Sequence, residues 1–174
     1  DAPGHRDFIK NMITGSSQAD CALIMVPADG NFTTSIAKGD AKIGQVQGQT
    51  RQHSLLINLL GVKQIIVGIN KMDSDMAKYG EARYKEIKDE MASTLIRVGW
   101  PKPFVDNSVP FIPMSGWVGD NLIAPSANMP WYKGQTVELP NKTKITVHTL
   151  KDCLEKMVVI PERQVNAAMR TPIS

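Results

Sequence analysis

Short, uninterrupted apolar runs alternate along this chain with longer segments whose apolar residues return every third or fourth position. The runs are CALIMV (Cys21 to Val26), Ile65-Ile66-Val67 and VPFIPM (Val109 to Met114). Each is too short for a helix and apolar on both faces, which predicts strands buried on both sides of a sheet. The prolines of the third run suit its ends or a sheet edge. Phe8, Ile9, Met12 and Ile13 predict a short helix stopped near Gly15. Leu55, Leu56, Leu59 and Leu60 predict a helix over 50–60 with the leucines inward and Gly61 as its C-terminal cap. Tyr84, Ile87, Met91, Leu95 and Val98 step by three and four, the stripe of a long amphipathic helix over 79–98 that Gly99 and Pro101 stop. Glu81 and Lys85 fall on its solvated face as an i,i+4 pair.

Residues 28–48 are polar with four glycines and predict a loop over the sheet edge; the proline-rich residues after 101 predict another. Two β-branched runs within 136–147 flank Pro140-Asn141-Lys142, the pattern of a surface hairpin. Thr149 with Asp152 three residues on opens a last helix over 150–158, directing Leu150, Cys153, Leu154, Met157 and Val158 inward. Strands alternating with helices define an α/β fold, a doubly wound and mostly parallel sheet.

Composition changes this picture little. The chain has 174 residues, 42% hydrophobic and 21% charged, with a net charge of +3, which suits one α/β domain with a sizeable core. Its mild basicity comes without Lys/Arg blocks, and no apolar run approaches a membrane span. Cys21 and Cys153 sit among apolar neighbours, the pattern of two reduced core thiols, and His5, His53 and His148 form no zinc-ligand spacing.

Candidate chemistry centres on KQIIVGINKMD (63–73). Asn70-Lys71-Met72-Asp73 follow a strand, and ligands of open parallel sheets sit beyond the strands' carboxyl ends. Guanine presents two adjacent donors, N1–H and N2–H2, and the Asp73 carboxylate can accept both. Adenine would leave that carboxylate desolvated and unpaired, so one such pair discriminates strongly. The Asn70 amide can brace the loop, and the Lys71 stem can cover the purine face. Ser115-Gly116-Trp117 follow the next strand, with backbone N–H groups suited to guanine O6 and Trp117 either shielding the base or packing as an ordinary core residue.

The opening pentapeptide Asp1-Ala2-Pro3-Gly4-His5 has the chemistry of a γ-phosphate sensor. Asp1 can hold a Mg²⁺ shell through a water, Pro3 stiffens the turn, and Gly4 admits a backbone N–H to a phosphate oxygen. His5 is the candidate catalytic residue, aiming the attacking water. A phosphate loop is not among these residues. Gly39 to Gly44 has its glycine spacing, but Gln45-Val46 stand where Lys and Ser or Thr belong.

DAPGHRDFIKNMITG, then NKMD, then SGWVGDN followed by MPWYKG, resembles the GTP-binding domain of translation elongation factor 1-alpha. Residues 26–39, 47–54, 149–157 and 170–174 lean toward its relative, the elongation-factor-like GTPase of protists. The resemblance implies a P-loop GTPase-type G domain truncated at its N-terminus, spanning 1–158, with 159–174 a connector to an absent β-barrel domain. It implies GTP and GDP with Mg²⁺, and nucleotide contacts at Asp1, Ala2, Pro3, Gly4, His5, Asn70, Lys71, Met72, Asp73, Ser115, Gly116 and Trp117. The implied parent is a cytoplasmic GTPase that delivers aminoacyl-tRNA to the ribosome, served by a guanine-nucleotide exchange factor and touching no membrane. Arg6, Asp7 and Lys10, on or beside the helix after His5, are candidates for partner contact.

Three alternatives share the fold: a release- or rescue-factor-like GTPase, the GTPase subunit of a sulfate-activating enzyme, and a non-catalytic scaffold. With no GxxxxGK[ST] among its residues, the isolated chain is expected neither to hydrolyse GTP nor to bind it tightly, since nothing cradles the β-phosphate. Calorimetric titration with GDP checks this. Micromolar or tighter binding, beyond about −8 kcal/mol, would overturn it.

Overall fold

The computed structural model describes residues 19–38 and 48–162. The elements in order are β1 (Ala22–Pro27), α1 (Phe32–Ile36), α2 (Gln49–Leu59), β2 (Ile65–Asn70), α3 (Glu81–Arg97), α4 (Lys102–Ser108), β3 (Phe111–Pro113), β4 (Gln135–Glu138), β5 (Lys144–Val147) and α5 (Leu150–Asp152). A π-helical turn, Cys153–Met157, continues α5. The three predicted strands form one parallel sheet in the order β1-β2-β3, and the predicted hairpin is β4 antiparallel to β5. The helix expected over 8–13, the glycine-spaced residues 39–44 and most of the connector lie outside the described residues.

β2 is buried along its length because both faces are covered. Ile65, Val67 and Ile69 pack with Ile24, Val26 and Phe111 against α2 and α3. Ile66, Ile112 and Met114 point the other way, onto Val137, Val147, Cys153 and Met157 of the hairpin and the C-terminal helix. Alternation of Cβ direction along one strand thus feeds two cores. Burial pushes the Cys21 thiol up to about 11 and the Cys153 thiol up to about 12, so both stay protonated at neutral pH.

The α3 stripe is buried as its spacing predicts, from Tyr84 and Ile87 through Met91 and Leu95 to Val98, and Glu81 pairs with Lys85 at 2.7 Å. Gly99 ends the helix at φ +112°, with the Trp100 N–H reaching back to Leu95 O at 3.1 Å. Gly61 does the same for α2 at φ +76°, with Val62 N–H on Ile57 O at 3.2 Å. Both are left-handed C-terminal caps that glycine adopts without steric cost.

Four expectations are corrected. The inward face of α2 is Thr50, Ser54 and Ile57, while Leu59 is 72% exposed and Leu55 is exposed beside it. The start of α2 lies too close to α1 for bulk, since a Cβ on Gly48 would meet Ser35 O at 2.3 Å, and small residues take the contact side. Within the expected loop over 28–48, Phe32 and Ile36 form the buried i,i+4 face of α1. Residues 102–108 are a helix because Pro101 and Pro103 fall at its cap and first turn, where no N–H is needed, and Trp100 stacks on Phe104 at 5.4 Å. Leu154 is 51% exposed because the wider π turn, closed by Val158 N–H on Cys153 O, keeps 153 and 157 inward and turns 154 out.

Leu95→Ala should cost about 2–5 kcal/mol, whereas Leu59→Ala should change stability by less than about 0.5 kcal/mol. Denaturant midpoints of the two variants check the assignment of faces.

Candidate functional site

Three strand ends converge on one edge of the parallel sheet. Pro27 pairs with Asn70 and Ile69 with Pro113, so the segments after β1, β2 and β3 leave the sheet side by side. Backbone bonds then tie them together: Ala28 N–H donates to Asn70 O at 2.7 Å and Met72 N–H donates to Met114 O at 3.1 Å.

Asn70 is the hub of this edge. Its side-chain Oδ1 accepts from Lys71 N–H and from Gly116 N–H, each at 2.8 Å. The first bond holds Lys71 in the left-handed region at φ +64°, an unusual place for a lysine. The second pins the loop after β3 to the loop after β2, and a Cβ on Gly116 would lie in van der Waals contact with the Asn70 amide at 3.4 Å. The bracing expected of the Asn70 amide is therefore present.

The other predicted residues divide by exposure. Asp73 is half-buried, and among the described residues its carboxylate accepts no hydrogen bond. Lys71 carries its ammonium to Asp29 Oδ2 at 2.8 Å. Ser115 is fully buried, its N–H on Asp120 O and its Oγ accepting from Val118 N–H at 3.1 Å. Gly116 N–H is engaged by Asn70, so of this tripeptide only the Trp117 N–H lacks an acceptor among the described residues. The Trp117 side chain is 93% exposed, which removes the reading of an ordinary packing residue. The Met72 side chain is wholly buried in the core, and its carbonyl accepts from Tyr79 N–H at 2.7 Å. Asp1, Ala2, Pro3, Gly4 and His5 lie outside the described residues.

Sequence reasoning missed Asp29 and Arg83. The Arg83 guanidinium donates to Ala28 O and Asp29 O at 3.1 Å each and to Glu86 Oε2 at 2.7 Å, while lying over the Phe32 ring. It fixes the segment after β1 and so aims Asp29 at Lys71. Only the i,i+3 spacing of Arg83 and Glu86 hinted at this, and that spacing reads equally as a solvated helix face. No group of His, Cys, Asp and Glu able to hold a metal ion occurs among the described residues. None of their helices is long and apolar enough to cross a membrane.

The family model of the elongation factor Tu GTP-binding domain matches residues 1–160. Elongation factor 1-alpha of Blastocystis hominis is 52% identical over 95% of the chain, and that of Onchocerca volvulus 48% identical over 99%. The oocyte form of elongation factor 1-alpha from Xenopus laevis is 44% identical over 99% of the chain. The chain spans about a third of the length of these curated relatives, 34–35%. Among solved structures, sup35 complexed with GDP superposes with a TM-score of 0.62 at 31% identity, covering 82% of this chain and 30% of that one. Sup35 complexed with GMPPNP gives 0.64 at 32% identity, covering 88% and 32%.

The hydrogen-bonded Lys71 ammonium holds the Asp29 carboxyl below its ordinary value of 3.8. The pair's contribution is therefore complete above that value and fades as pH falls through the lower folded one. Amide-exchange protection of Lys71 and Ser74, followed from about pH 6 to about pH 3, should fall at the acid end in the native chain. In Asp29→Asn it should be low throughout, with global stability changed by less than about 1 kcal/mol.

Proposed function

The chain belongs to the elongation factor Tu GTP-binding domain family, and from that premise we propose that it forms the guanine-reading part of a GTPase of the elongation factor 1-alpha type. The observation that carries this reading is the Asn70 brace, which joins the two loops bearing the unpaired Asp73 carboxylate and the free Trp117 N–H. Asp73 accepts the N1–H and N2–H2 donors of guanine, and the Trp117 N–H donates to O6. The Asn70 Nδ2, with no partner among the described residues, donates to a ring nitrogen. The Lys71 stem lies along the purine face, its ammonium held aside by Asp29.

At the phosphate end, Asp1 would hold Mg²⁺ through a water, and the ion would supply charge neutralisation on the phosphates. Gly4 gives its N–H to a phosphate oxygen and His5 aims the attacking water. The intact protein then hydrolyses GTP while carrying aminoacyl-tRNA to the ribosome in the cytoplasm, and a guanine-nucleotide exchange factor reloads it. The greater identity to elongation factor 1-alpha than to sup35 supports the elongation reading over the release- or rescue-type alternative.

Asp73→Asn in the intact protein tests the base reading. The amide should lower GTP affinity by about a hundredfold or more and favour xanthosine triphosphate, whose C2 carbonyl accepts from it. Unchanged GTP affinity would remove Asp73 from its role.

A further inference from the structure

The Asp29–Lys71 ion pair lies at the rim of the site, with the lysine side chain 55% exposed, so the pair adds little to stability. Yet both of its ends are fixed in advance. Lys71 N–H is bonded to Asn70 Oδ1 at 2.8 Å, with the backbone at φ +64°. Asp29 Oδ1 accepts from Asn31 N–H at 3.0 Å, which leaves Oδ2 to the ammonium. The backbone carbonyls of Ala28 and Asp29 are taken by Arg83 of α3, whose Nε and Nη2 donate to them at 3.1 Å each. Arg83 Nη1 pairs with Glu86 at 2.7 Å, and the largely buried side chain lies over the Phe32 ring. A planar guanidinium holds two adjacent carbonyls as a rigid fork, which an ammonium cannot do.

A lysine carries its charge on a flexible four-carbon stem, and the stem settles over a ligand only if the charged end is anchored. Here the anchor is Asp29, and a side chain from another element holds the anchor. We propose that Arg83 is a positioning residue for the bound nucleotide. By fixing the two carbonyls after β1 it presents the carboxylate that keeps the Lys71 stem over the purine face, and so it slows nucleotide release. The inference rests on the reading of Lys71 as the cover of that face. The stem meets the ring face, which guanine and hypoxanthine share, whereas Asp73 meets the edge, where they differ. Arg83 therefore governs how long a purine nucleotide stays and leaves the choice between these two bases untouched.

The test is the rate at which the intact protein loses fluorescently labelled GDP. Arg83→Lys keeps a cation for Glu86 but gives up the fork, and it should speed release about tenfold, the effect of one freed side chain. Asp29→Asn should do the same, and adding Arg83→Lys to it should change little more, as expected of one coupled unit. In each variant GDP and inosine diphosphate, which lacks the 2-amino group, should weaken in parallel. Release that Arg83→Lys leaves unchanged, or speeds equally with and without Asp29→Asn, while Lys71→Ala speeds it, would overturn the positioning role alone. So would an Arg83→Lys protein whose GDP to inosine diphosphate affinity ratio has changed. Lys71→Ala with native release would overturn the cover reading and the positioning role together.

Discussion

One carbonyl oxygen, Asn70 Oδ1, holds the working edge of this domain together. It accepts two backbone N–H groups, from the residue beside it and from Gly116 across the sheet. Each such bond is worth about 1 kcal/mol net, but both donors would otherwise stand unpaired in a partly closed turn, where the loss is larger. The short carboxamide also reaches what a longer side chain would overshoot, because Gly116 passes close enough that even a Cβ would touch the amide. Without this acceptor, the described tie between the two loops next to Asn70 would be the Met72–Met114 backbone bond, with the Trp131 Nε1 bond to Tyr79 O farther along.

That hub works because the strand beneath it cannot move. β2 is buried on both faces and bonded on both edges, with β1 and β3 in parallel register. Parallel sheets need cover on each side, and the chain supplies it unequally. The α2–α3 side is a large helical core, while the opposite side rests on a hairpin and a short helix with a π turn. Gly68 marks the thinner side, with a Cβ there meeting Met25 Sδ at 2.8 Å and Met114 Cε at 3.0 Å. Flexible thioethers fill the space a side chain on β2 would have taken.

The strands and the long helix were legible because their signals are periodic and their burial is decided locally. Three apolar runs became three strands, and the Tyr84–Val98 stripe became the buried face of α3. The failures have physical causes. The leucines of α2 read as a core face, but close approach to α1 gives that side to Thr50 and Ser54. A five-residue helix such as α1 carries one i,i+4 pair, too little pattern to see. Pro103 looks like a helix breaker unless its position in the first turn is known. At the site, the brace made by the Asn70 amide was legible from residue type alone. Asp29 and Arg83 were not, because their roles come from partners more than forty residues away in the chain.

Backbone strain follows the same geography. Apart from Lys142 in the hairpin turn, the described non-glycine residues with positive φ are Lys71, Lys78, Tyr79 and Asn121, all in the segments that follow β2 and β3. Each is over-determined by hydrogen bonds, Asn121 by its Nδ2 on Pro113 O, its Oδ1 accepting from Ser126 N–H and its carbonyl accepting from Leu150 N–H. Residue identity alone does not announce such conformations, since glycine is absent from all four positions. Their consequence is energetic. A loop already forced into its working shape loses little further entropy when a ligand arrives, so more of the contact energy appears as affinity and selectivity. A looser edge built from glycine would make the same contacts in more than one geometry, and a single misaimed carboxylate is enough to forfeit the distinction between one purine and another.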